Sequence, residues 1–67
     1  MIEVRVNGKD MTAGEGMTVA GFLRELGHDP RLVAVEHNGE ILKRALFETT
    51  QLQPGDRLEV VRFVQGG

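Results

Sequence analysis

The chain has 67 residues, 8 of them Lys or Arg and 10 Asp or Glu, for a net charge of -2. This length allows one domain near the lower limit for folding on a single core, and 40% hydrophobic with 27% charged residues is a globular composition. Scattered basic residues, without Trp or Tyr, argue against a nucleic-acid interface of basic stripes and stacked aromatics.

Met1 leads directly into "IEVRVNGKDM", with no basic leader and no long apolar run, so neither a signal peptide nor a membrane span is expected. Ile2, Val4 and Val6 alternate with Glu3, Arg5 and Asn7, the period of a half-buried strand, and Asn7-Gly8 is a strong hairpin-turn signal. A second strand is predicted over Asp10–Thr12, after which "AGEG" opens a loop. In "MTVAGFLRELGHDP", Val19, Phe22, Leu23 and Leu26 fall at i, i+3, i+4 and i+7 and form one apolar helical stripe. Thr18 suits the N-cap, Gly27 the left-handed position after the last turn, and Pro30 forbids continuation. Gly21 weakens the helix interior by roughly 1 kcal/mol relative to Ala; it would let the helix approach a strand closely.

"LVAVEHNGEIL" predicts a third strand over Leu32–Asn38, a second turn at Asn38-Gly39 and a short extended piece at Glu40–Lys43. One helical turn near Ala45–Glu48 and a Pro54-Gly55 turn precede a last strand over Arg57–Val64. A lone hairpin cannot bury the helical stripe, so sheet and helix must form two layers. The fold class is α+β, a mixed sheet of four to five strands with one main helix on one face. With the last strand beside the first, it would be the β-grasp arrangement of ubiquitin. Residues 1–64 would form the domain and 65–67 a C-terminal tail.

The absence of cysteine excludes disulfides, thiolate metal sites and a cysteine nucleophile, and fits a reducing cytosol, so a cytoplasmic location is expected. Serine is absent too, which rules out a Ser-His-Asp triad. His28 belongs to the turn ending the helix and His37 alternates out of the third strand; without a third ligand, no metal site is expected. Glu36 and Glu40 read as solvated strand and turn residues, and Gly14-Glu15-Gly16 lacks a phosphate-binding lysine. No residue is assigned a catalytic role. A chain of this kind enters chemistry as a substrate or carrier.

Its last stretch, "VVRFVQGG", suits that part. Leu58 and Val60 continue one alternating face, whereas Val61 and Phe63 place apolar groups on the other. With the helix covering the first face, Val61, Phe63 and Val64 form a candidate partner surface. Gln65 and Gly66 then lead to Gly67, and three extended residues carry a terminal carboxylate about 10 Å from the folded body. Glycines lack Cβ atoms and fit a narrow slot. A carboxylate becomes a good electrophile once ATP converts it to an acyl-adenylate, and a sulfur or nitrogen nucleophile can then attack the unhindered carbonyl of Gly67.

Taken in order, "MTVAGFLRELG", "VAVEHNGEIL" and "LQPGDRLEVVRFVQGG" resemble the ThiS family of bacterial sulfur carriers in thiamine biosynthesis, over essentially the whole chain. The resemblance implies a β-grasp fold and a carrier that binds no cofactor itself. A ThiF-like enzyme would use ATP to adenylate Gly67, and a persulfide derived from a cysteine desulfurase would convert its carboxylate to a thiocarboxylate. Thiazole synthase (ThiG) would then take the sulfur; no nucleic acid or membrane partner is implied. Leu42-Lys43-Arg44 departs from the Val-Pro-Arg-like stretch expected after "NGEI", Phe47 stands near the position of a Trp, and Gln65 replaces a small residue. Carriers for molybdopterin synthesis or tRNA thiolation use the same chemistry and stay open as alternatives. So does a β-grasp interaction domain whose tail is never activated.

Overall fold

Both Asn-Gly pairs form tight turns with positive φ at each residue, 50° and 81° at Asn7-Gly8 and 53° and 87° at Asn38-Gly39, as turns that match strand twist require. The computed structural model describes residues 1–63. The first turn joins β1 (Ile2–Val6) to β2 (Lys9–Ala13) and the second joins β3 (Val33–His37) to β4 (Glu40–Leu42). Between these hairpins lies α1 (Val19–Glu25), and β5 (Arg57–Arg62) follows them. The sheet order is β2-β1-β5-β3-β4, with β1 and β5 parallel and every other pair antiparallel. This is the β-grasp fold: the last strand fills the gap between two hairpins.

Strand alternation decides which face is buried. Ile2, Val4, Val6, Val33, Val35, Leu58 and Val60 turn toward α1 and meet its Val19, Ala20, Phe22 and Leu23, while Phe47 and Leu52 close the core from the long connection before β5. The start of α1 is held by its neighbours as well as by its own cap. Thr18 Oγ1 accepts from the Gly21 amide at 3.1 Å, and the Val19 and Ala20 amides donate to the carbonyls of Thr50 and Phe47, each at 2.9 Å. First-turn donors that α1 cannot satisfy are thus satisfied by the connection. Gly27, with φ 88°, ends the helix.

Several local expectations shift. Pro30–Leu32 forms a 3-10 turn capped by Asp29, so β3 begins at Val33 rather than Leu32. The later turn spans Arg44–Leu46 rather than Ala45–Glu48, and β5 ends at Arg62, with Phe63 outside it. Leu26 caps the C-terminus of α1 and is only half-buried. A Cβ on Gly21 would meet Thr18 Oγ1 at 3.3 Å and Met17 Cγ at 3.6 Å, so the close approach is to the helix's own cap and not to a strand. His37 does not simply project into solvent; its Nε2 lies 2.8 Å from Asp56 Oδ2, with the side chain 22% exposed.

Candidate functional site

Only one face of the sheet is covered by the helix. The opposite face carries Glu3 and Arg5 from β1, Glu59 and Val61 from β5, Ala34 and Glu36 from β3 and Ile41 from β4, all exposed. Ile41 is 82% and Val61 61% exposed, and Phe63, just beyond β5, is 49% exposed. Of the candidate surface residues, Val61 therefore lies on the open side of the sheet, and Ile41 joins it; Phe63 is half-exposed just past the end of β5, beside Arg44. In the sequence Ile41 carries no signal of its own, because β4 is only three residues long and its alternation does not stand out. Val64, Gln65, Gly66 and Gly67 lie outside the described residues.

Phe63 is fixed at both backbone and ring. Its amide donates to the Leu32 carbonyl at 2.9 Å, extending the β3–β5 ladder past the Val33–Arg62 pair. Arg44 Cζ lies 5.6 Å from the ring centroid, within range of a cation–π interaction. The same guanidinium donates from Nε to the Pro30 carbonyl at 3.2 Å and from Nη2 to the Val33 carbonyl at 3.0 Å. One side chain thus ties the 3-10 turn, the start of β3 and the end of β5 together, where the chain continues into residues 64–67. Arg44 lies in the stretch that departs from the expected Val-Pro-Arg pattern, and its contacts are invisible without the fold.

The Pro54-Gly55-Asp56 turn is organised by a buried carboxylate, 6% exposed. Asp56 Oδ1 accepts from Asn38 Nδ2 at 3.1 Å, and Oδ2 accepts from the Gln53 amide at 2.9 Å and meets His37 at 2.8 Å. Burial alone would push its pKa up; the bonds from His37, Gln53 and Asn38 outweigh burial and hold it below the ordinary carboxylate value. This network sets the entry to β5, as the Arg44 contacts set its exit.

On the helix side, a broader hollow of about 550 Å³ is lined by Arg24, His28, Asp29, Arg31, Arg44 and Glu48 among others. Its charges largely satisfy one another: Arg24 pairs with Glu48, and Arg31 pairs with Asp29 at 2.8 Å. Side-chain and backbone hydrogen bonds from Arg31 lower the Asp29 pKa to about 2. Among the described residues no group of three His, Cys, Asp or Glu side chains could hold a metal ion. No helix there is long and apolar enough to cross a membrane.

The sequence model of the ThiS family matches residues 4–67. A thiazole synthase of Paramagnetospirillum magneticum is 42% identical over 62 residues, covering 92% of this chain and 19% of that protein. A thiazole synthase of Magnetococcus marinus is 38% identical over 66 residues, covering 98% of this chain and 20% of that protein. The chain thus spans about a fifth of the length of these curated relatives. The crystal structure of the thiamine biosynthesis protein ThiS from Geobacter metallireducens superposes with a TM-score of 0.82 at 36% identity, covering 98% of this chain and 100% of that one.

Proposed function

This chain belongs to the ThiS family, and from that membership we propose that it is a sulfur carrier of thiamine biosynthesis, loaded at Gly67. The observation that carries the reading is the family match, which runs through the Gly66-Gly67 pair itself. The structure of ThiS from Geobacter metallireducens, similar over its whole length, supports it.

The reacting atom is the carbonyl carbon of Gly67, so no side chain of this chain is catalytic. An ATP-dependent ThiF-like partner joins the carboxylate to AMP with release of pyrophosphate. A persulfide, supplied through a cysteine desulfurase, then attacks the carbonyl and AMP leaves. A second thiol splits the S–S bond and departs in a disulfide with the donor, leaving the sulfur on Gly67 as a thiocarboxylate. Thiazole synthase is the acceptor, a partner supported by the relatives that bear that name. ATP is bound and consumed by the activating partner; the carrier's own modification is the thiocarboxylate. Val61, Phe63 and Val64 serve the partner surface, while Gln65 and Gly66 occupy the partner's channel.

Intact mass spectrometry after incubation with a ThiF-like enzyme, ATP and a persulfide donor tests this. Exchange of one oxygen for sulfur adds about 16 Da to the C-terminal peptide, as expected for an activated acyl group trapped by sulfur. An unchanged mass with partners active on another carrier refutes the proposal. A variant lacking Gly67 should remain folded and gain nothing.

A further inference from the structure

Across the open face, Ile41 of β4 is in register with Glu36 of β3, and Glu36 with Glu59 of β5; in the next row Ala34 faces Val61. Ala34, Val35, Glu36, Ile41, Glu59 and Val61 line a depression of about 170 Å³. The small side chain of Ala34 leaves room there, with apolar flanks at Ile41 and Val61 and two carboxylates one row away.

Two features of this depression point to its occupant. Like charges directly opposite one another on a sheet destabilise it, and among the described residues neither Glu36 nor Glu59 has an ion-pair partner. Arg57 borders an adjoining hollow with Glu36, Gly39 and Glu59 but makes no ion pair with them. With neither carboxylate in an ion pair, their opposition is expected to cost the free domain some stability, which an arriving cation would restore. The apolar flanks meanwhile suit a methylene stem, which long basic side chains lay along apolar surface while their heads reach polar groups. Arginine fits better than lysine, because its planar fork can engage two carboxylates at once.

We infer that the open face receives an arginine of thiazole synthase, its stem over Ala34 between Ile41 and Val61 and its guanidinium between Glu36 and Glu59. The inference rests on the carrier reading. It takes thiazole synthase as the enzyme because relatives of that name contain a segment matching this chain. β5 carries both Glu59 and Val61 and ends at Arg62, so docking here would bring the last described residues of the chain beside the enzyme.

The test titrates the carrier into thiazole synthase by calorimetry, using wild type, Glu36→Gln, Glu59→Gln and Ala34→Leu. Each substitution is expected to weaken binding about tenfold or more, and the two Gln variants to flatten its salt dependence. The Gln variants should also raise the urea midpoint of the free domain, since they remove the repulsion. Affinities unchanged in all three variants, or no binding by wild type, would overturn the inference. A midpoint that falls together with affinity would also overturn it, because the glutamates would then serve the fold. Sulfur loading, read by mass on the same proteins, separates the two readings. Loading intact with affinities unchanged removes this inference alone, whereas wild type that never loads removes the carrier reading and this inference with it.

Discussion

Arg44 sits over the ring of Phe63, Cζ to centroid 5.6 Å, while two of its nitrogens hold the carbonyls of Pro30 and Val33. Residues 19 positions apart in sequence are thereby joined just past the end of β5. Arg44→Ala removes all three interactions and should lower stability by about 1–2 kcal/mol in urea denaturation, since each bond is exposed enough for water to replace it in part. Arg44→Lys, which keeps the charge but not the fork, should fall between. A double-mutant cycle with Phe63→Leu should show coupling; strict additivity would mean that the ring contact contributes nothing.

Asn7 makes a comparable long-range link. Its Oδ1 accepts from the Val60 amide at 2.8 Å and its Nδ2 donates to the Val60 carbonyl at 3.2 Å, prolonging the parallel β1–β5 ladder with a side chain. Asn7→Gly keeps the positive φ and loses the two bonds, and should cost about 1–3 kcal/mol. Asn7→Ala should cost more, because alanine also resists φ of 50°. Equal midpoints for the two variants would show that backbone strain contributes little.

Asp56 predicts an acid limb of the stability curve. Its folded pKa lies below the ordinary value of 3.8, so the folded state favours the ionised form. That contribution is complete above the unfolded pKa and disappears as pH falls through the folded one. Stability should therefore decline below about pH 4. Asp56→Asn should be less stable at neutral pH, by about 1–3 kcal/mol from the bonds it cannot accept, and its acid decline should be shallower.

Core depth separates neighbours on α1. Leu23 is fully buried and Leu26 half-buried. Leu23→Ala should cost about 2–5 kcal/mol by thermal or urea unfolding, and Leu26→Ala clearly less. The apolar stripe alone does not distinguish the two residues.

Much of the framework can be read from local pattern, because its causes are local. Alternation in β1, two Asn-Gly turns, the Thr18 cap and the Gly27 stop act over a few residues each. What escapes depends on pairing between distant segments. Glu36 and Glu59 become opposed only through the register of β3 with β5. His37 turns to Asp56 only once the Pro54-Gly55-Asp56 turn lies under the second hairpin. Leu32 has the apolarity of a strand residue, yet Asp29 and Pro30 favour a capped 3-10 turn and delay β3 by one position. At the site, the exposed side of Val61 followed from alternation, whereas Ile41 and the hollow over Ala34 required the third dimension. The chemistry proposed for Gly67 rests on the properties of glycine and carboxylates together with the family match.

The placement of β5 bears on the order of events in folding. It is last of the five strands in sequence and central in the sheet, pairing with β1 on one side and β3 on the other. The hairpins β1–β2 and β3–β4 can close early, over short loops, but share no edge until β5 lies between them. Two isolated hairpins are marginal in water, so the committing step is the long-range capture of residues 57–62, a slow kind of contact to form. Substitutions in β5 should then slow folding more than they speed unfolding, and those in the β1–β2 turn should do the reverse.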